Sequence, residues 1–246
     1  FKHEDGRHTL VLADSYTAHA PFGGYEEIPF ITHEEASDKD EECVSEWDFA
    51  REIQPCRYMI DDYDFKKPSV ELQVKNEVVR THDMADYEIY DYPGEYVAAT
   101  EGDEYVRTRI EELQTQFELA NGSSTARGLC NGYLFKLTDF TRSEQNREYL
   151  IVSTVQNLEI GDYESMGNAG TNYGCRFTAL NSREPFRSQR TTPKPIVQGP
   201  QTAVVVGPEG DEIYTDEYGR VKVQFHWDRL GEKNENSSCW IRVSHP

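Results

Sequence analysis

The chain has 246 residues, 37% of them hydrophobic and 12% aromatic, with a formal net charge of −20. It is long enough for one large or two ordinary domains, and rich enough in Tyr, Phe, Val and Ile to bury a core, which excludes a disordered chain. Acids outnumber bases 30 to 12 over residues 1–132, but only 8 to 5 over residues 196–246, while residues 133–195 hold 8 bases and 7 acids. So negative a surface repels phosphates and anionic lipid, so no nucleic acid is expected as a partner.

The first element is "HTLVLAD" (His8–Asp14), short, apolar and β-rich. An acidic loop runs through Glu42, and "VSEWDF" (Val44–Phe49) follows as a strand. "CRYMIDDYDF" (Cys56–Phe65) and "VELQV" (Val70–Val74) read as two more, broken by "KKPS". One helix is predicted over about residues 103–120, because Val106, Ile110, Leu113 and Phe117 recur on one face of a 3.6-residue period. Asp103 and Glu104 sit near its start, where the dipole favours acids, and Asn121-Gly122 reads as its stop.

Strand signals then resume. "GYLFKLTDF" and "EYLIVSTVQNLEI" flank the polar turn "TRSEQNR", and "CRFTALNS" follows. "TTPKPIVQGPQ" (Thr191–Gln201) is rich in Pro and Gly and is the linker candidate. Beyond it come "TAVVVGPEG", an alternating run and "SCWIRVSHP". In the alternating run, Val221, Val223, Phe225 and Trp227 face a core, and Arg220, Lys222, Gln224, His226 and Asp228 face out. Gly207, Pro208, Gly210 and Gly219 supply turns, so the segment reads as the start of a small antiparallel barrel. The fold class is therefore mainly β with one notable helix, divided as residues 1–194 and 195–246.

Cys43, Cys56, Cys130, Cys175 and Cys239 are odd in number and have no C-x-x-C spacing. That argues against a disulfide framework and a zinc site, and for a reducing folding compartment. The chain starts at Phe1, with no signal-peptide core, and the barrel reads as unfinished at His245-Pro246; both ends are expected to be cut from a longer protein.

Three separated blocks carry a family resemblance. "GPQTAVVVGPEGDEIYTDEYGRVKVQFHWDRLG" (Gly199–Gly231) resembles the start of the OB-fold domain of VgrG proteins, the spikes of type VI secretion. "DYDFKKPS" (Asp62–Ser69) and "YDYPGEY" (Tyr90–Tyr96) resemble the hub of that family, which is similar to the phage T4 gp27 baseplate hub. The resemblance implies a gp27-like hub over 1–194 and the beginning of a gp5-like OB barrel over 195–246, with the outer parts of both missing. It implies a homotrimer that caps an Hcp tube, carries effectors or adaptors, and bears a PAAR-type tip protein through a needle beyond this chain. It implies assembly in the bacterial cytoplasm, export through the apparatus, only transient contact with a target membrane, no cofactor and no enzyme activity. The alternatives are an OB-type binding module, or the non-catalytic part of a spike with an enzymatic C-terminal extension.

No catalytic, cofactor-binding or metal residue is predicted. Asp211, Glu212, Asp216 and Glu217 lack EF-hand spacing and read as a solvated turn. His226 and Asp228, at i and i+2 of one strand face, are half a metal site at most. Asp61, Asp62 and Asp64 could supply glycosidase carboxylates only if paired across a cleft, and read as structural. "GNAGTNYG" (Gly167–Gly174) lacks the Lys-Ser/Thr of a phosphate loop. The acids Glu34, Glu35, Asp38 and Asp40 are expected to face a lumen or partner.

Overall fold

A computed structural model describes residues 1–32, 34, 41–160, 172–211 and 213–244. Its elements form two units, Phe1–Arg190 and Thr191–Pro246.

The first unit opens with a hairpin, β1 (Lys2–Glu4) and β2 (Arg7–Thr9). Its main body is a six-stranded sheet of β3 (Glu27–Pro29), β4 (Val44–Arg51), β8 (Glu118–Ser124), β9 (Leu134–Thr138), β10 (Glu148–Glu159) and β11 (Asn172–Asn181). The strand order is β3-β9-β10-β11-β8-β4, parallel only at β3–β9. The sheet curls until its two edges meet. Past β3, Phe30 bridges Val44 of β4, and the Ile31 amide donates to the Val44 carbonyl at 3.0 Å. Closure of this kind removes edges that would otherwise seek partners.

Four aromatic rings from four strands fill the curl. Trp47 meets Tyr149 edge-on at 4.8 Å, and Phe135 meets Phe177 edge-on at 5.5 Å. Such rings are the largest single contributors to a core of this size. The fully buried Gln145 carries the polar ends, because its Oε1 accepts from Tyr149 Oη at 2.7 Å and faces Trp47 Nε1 at 3.4 Å.

A second cluster lies under the helix. The three strands β5 (Arg57–Ile60), β6 (Val74–Glu77) and β7 (Glu88–Asp91) are ordered β6-β5-β7, with β5–β7 parallel. Helix α1 (Ala99–Thr115) packs on them through Val106 and Ile110, against Tyr58, Ile60, Leu72 and Tyr96. Gly102 on the same helix face makes room for the Tyr96 ring, since a Cβ there would lie 2.6 Å from it.

The sequence placed this helix at 103–120, and the structure shifts it to Ala99–Thr115. Val106, Ile110 and Leu113 do face its core, but Phe117 lies beyond the helix end. Asn121-Gly122 is no helix stop, for both residues are inside β8. There Gly122 stands in register with Trp47 on one side and Phe177 on the other, and the Phe177 ring takes its side-chain space. Two expected strands also move. "HTLVLAD" contributes only His8 and Thr9 to β2, and Leu10 and Leu12 are exposed. In "VELQV" only Val74 is in a strand, because the pairing with β5 begins there.

In the second unit, β12 (Ala203–Val206) pairs antiparallel with β13 (Lys222–Phe225). Val221 also bridges Ile241, and Val206 and Val223 are buried. The expected apolar face is only partly realised. Trp227 lies past the strand end, 61% exposed and stacked on Phe225 at 5.1 Å, whereas Gln224 is buried.

Candidate functional site

Of the acids Asp211, Glu212, Asp216 and Glu217, Asp216 anchors a turn. Asp216 Oδ1 accepts the Tyr218 and Arg220 amides at 3.0 and 2.9 Å, and its Oδ2 accepts from Arg220 Nε at 2.6 Å. Desolvation works to raise this carboxyl, but those donors outweigh it and hold it below its ordinary range. Gly219, at φ 68°, closes the turn by donating to the Asp216 carbonyl. Glu212 lies outside the described residues, as do residues 167–171 of the Gly-rich stretch, His245 and Pro246, and Glu35, Asp38 and Asp40 of the acidic loop.

His226 and Asp228 do not share a strand face. The strand ends at Phe225, and Asp228 Oδ1 accepts the Leu230 and Gly231 amides at 2.9 and 3.1 Å. Among the described residues, no three His, Cys, Asp or Glu side chains gather as a metal site.

Asp61 and Asp62 tie this stretch to the second hub block, and Asp64 holds a turn within the first. Asp62 Oδ2 accepts the Glu95 amide, and the Gly94 amide donates to the Asp61 carbonyl at 2.9 Å. Asp64 Oδ1 accepts the Lys66 amide at 2.9 Å. Nearby Tyr96 is buried, with its hydroxyl placed to donate to the Leu72 carbonyl or, at 3.1 Å, to Ile60. Burial first, then Asp61 and Asp62, push its phenol up to about 12. The carboxylates here accept from backbone amides.

Sequence reasoning missed the strap over α1. Arg80 donates to Glu184 through two nitrogens at 3.2 and 3.0 Å, and to Gln114 Oε1 at 3.0 Å. Arg187 Nε donates to Glu111 at 2.7 Å, and the Arg190 amide donates to Glu112 at 2.7 Å. The partners are 104 residues apart in the first case and 76 in the second, so no local spacing signals them. Glu118 likewise bridges Arg51 and Arg147.

What remains exposed is strand edge and aromatic surface. β9 pairs β10 only over Glu148–Leu150, whereas β11 accompanies β10 to Glu159. From Ser153 onward β10 therefore has no strand along its other edge among the described residues, and Val155 and Leu158 are 55% and 60% exposed. At the edge of the three-stranded sheet, β7 and its flanks expose Tyr87, Tyr90 and Tyr92. Unpaired backbone beside apolar and tyrosine side chains is the composition of protein interfaces. The candidate functional surface is thus one of assembly.

Known proteins agree in kind. The family model for the phage tail baseplate hub (GPD) matches residues 1–160. Type VI secretion system spike proteins VgrG1a and VgrG1b of Pseudomonas aeruginosa are each 46% identical over 99% of this chain. The chain spans 38% and 33% of their lengths. The actin cross-linking toxin VgrG1 of Vibrio cholerae is 33% identical over 99% of this chain, which spans 22% of it. A solved E. coli type VI secretion component, similar to the T4 phage tail proteins gp27 and gp5, matches with a TM-score of 0.48 and 16% identity. That match covers 88% of this chain and 43% of the other. The chain belongs to the phage tail baseplate hub family and, within it, to the VgrG kind.

Proposed function

We propose that this chain is the hub portion of a type VI secretion spike, with residues 1–194 as the hub and 195–246 opening an OB domain. The observation that carries this reading is identity across 99% of the chain with relatives named as spikes. The same segment recurs in a relative named as a toxin, of which it is 22%, so it supports a role common to spike and toxin and not the cross-linking chemistry. The hub assembles in the cytoplasm as a homotrimer, caps a tube of Hcp, carries effectors or adaptors, is tipped by a PAAR-type protein, and leaves through the apparatus. It acts by rigidity and not by catalysis. The stitched carboxylates and the exposed strand edges support this, since edges that pair between copies are the means by which rings form.

The test is absolute mass by light scattering on the chain and on the complete protein. A mass near three times 28.3 kDa for this chain, or a trimer of the complete protein, supports the hub. A complete protein that stays monomeric at micromolar concentration would overturn it. A catalytic extension elsewhere in the protein, as the toxin-named relative suggests, would show as activity that survives removal of residues 1–246.

A further inference from the structure

The first unit contains a pocket of about 400 Å³ between the Asp14–Tyr16 segment, α1 and the strap at residues 182–187. Its size is that of a small-ligand site. The floor is apolar, formed by buried Leu134 and Leu150, and Phe186 stands at the side. Around the apolar floor the charges are unevenly paired. Glu111 is matched by Arg187 and Glu184 by Arg80. Arg107 and Arg183 also line the pocket, and neither makes an ion pair among the described residues. Asp14 is the remaining carboxylate in the wall. Three arginines and three carboxylates line the pocket, so its charge balances, and Arg107 and Arg183 are the two of those arginines that no carboxylate holds among the described residues.

Ser182 adds a further donor. It is 6% exposed, lines the same pocket, and its hydroxyl has no hydrogen-bond partner among the described residues. That hydroxyl is available to donate to a group in the pocket. Guanidiniums present planar donor forks suited to carboxylate oxygens. A dianion would be repelled by Asp14 and Glu111, so a singly charged group on an apolar stem suits the walls better than a phosphate.

We propose that this pocket binds the C-terminal carboxylate of a peptide with an apolar last residue. Arg183 and Arg107 hold the carboxylate, Ser182 donates to it, and the last side chain rests on Leu134, Leu150 and Phe186.

The complete protein is titrated by calorimetry with N-acetyl-Ala-Leu, with its C-terminal amide, and with inorganic phosphate. The free acid should bind, the amide should bind about tenfold more weakly or not at all, and phosphate more weakly than the acid, as loss of a charge-assisted contact dictates. Arg183→Gln and Arg107→Gln should each weaken the acid about tenfold and leave the amide unchanged. Both arginines are exposed, so the variants should fold, and the acid–amide comparison needs no variant at all. Equal binding of acid and amide, no binding of either, phosphate binding tighter than the acid, or an unchanged affinity in Arg183→Gln would overturn the assignment.

Discussion

Phe177 occupies the space that a side chain at Gly122 would need. A Cβ on Gly122 would lie 2.5 Å from Phe177 Cζ and 3.1 Å from the Glu46 carbonyl oxygen. Trp47, Gly122 and Phe177 stand in one row across β4, β8 and β11, and the Phe177 ring closes over the one position with no side chain. Gly122→Ala should therefore destabilise the first unit by about 1–3 kcal/mol through overpacking. Denaturant unfolding measures this. Phe177→Leu in the Gly122→Ala background should recover part of the loss, and strictly additive effects would rule out the contact as the cause.

Arg80 is the clasp of the strap over α1, with Glu184 and Gln114 both on its guanidinium. Its ring-facing side lies over Phe117 at 4.3 Å. Arg80→Ala should cost about 1.5–3 kcal/mol, the worth of hydrogen bonds to a charged group. Arg80→Lys should lose much of the same, because an ammonium cannot fork to two oxygens. Limited proteolysis should show earlier cleavage within residues 182–190, and an unchanged cleavage pattern in Arg80→Ala would contradict the clasp.

Glu118 sets an acid limit. Burial works to raise its carboxyl, but Arg51 and Arg147 outweigh that and hold it below the ordinary glutamate range. A carboxyl depressed in the fold contributes stability that is present above its unfolded value of about 4.3 and lost as pH falls through the folded value. Glu118→Gln should thus lower stability at neutral pH and flatten the decline of stability below about pH 4.5. Parallel pH profiles for the two proteins would show that the pair has no net effect.

Tyr96 sets the alkaline limit. Its phenol, pushed up to about 12, stays neutral in the fold while the unfolded chain ionises near 10. Its contribution is therefore complete below pH 10 and lost as pH rises toward 12. Tyr96→Phe should cost about 0.5–1.5 kcal/mol at pH 7 and flatten the fall in stability above pH 10. Absorbance titration at 295 nm should show one tyrosine fewer ionising late.

The outer half of β10 is the edge offered for assembly. Val155→Lys with Leu158→Lys should change the stability of the single chain by no more than about 0.5 kcal/mol, since both are surface positions. The pair should shift the mass of the complete protein toward the monomer in sedimentation. An unchanged mass would place the contact elsewhere.

Strands with long apolar or alternating runs were legible in the sequence. "GYLFKLTDF", "EYLIVSTVQNLEI" and "TAVVV" each contain the strand found there, "VSEWDF" lies inside a strand that runs on to Arg51, and "CRFTALNS" overlaps one that starts earlier, at Asn172. The helix was legible in kind, since Val106 and Ile110 set its face, but its ends were not. Asn121-Gly122 carries a stop signal that only the neighbouring rings of Trp47 and Phe177 cancel, and those come from 75 and 55 residues away. "HTLVLAD" has the composition of a strand, yet the sheet offers it no partner. That Asp62 binds the amide of Glu95, and Asp216 those of Tyr218 and Arg220, follows from the fold alone. Pairs such as Arg80–Glu184 were invisible, because charge has no periodicity when its partner is a hundred residues away.

The seam of the six-stranded sheet bears on how the protein is made. Ile28 on β3 pairs with Leu137 on β9, and Glu27 with Lys136, 109 residues further along. A ribosome adding roughly 5–20 residues per second needs about 5–20 s to cover that distance. For that interval Ile28, Phe30 and Ile31 wait as a nascent apolar segment with no β9 to receive them. The curl is thus sealed only after β9 has been made, and until then the segment around Ile28 stays exposed on the nascent chain.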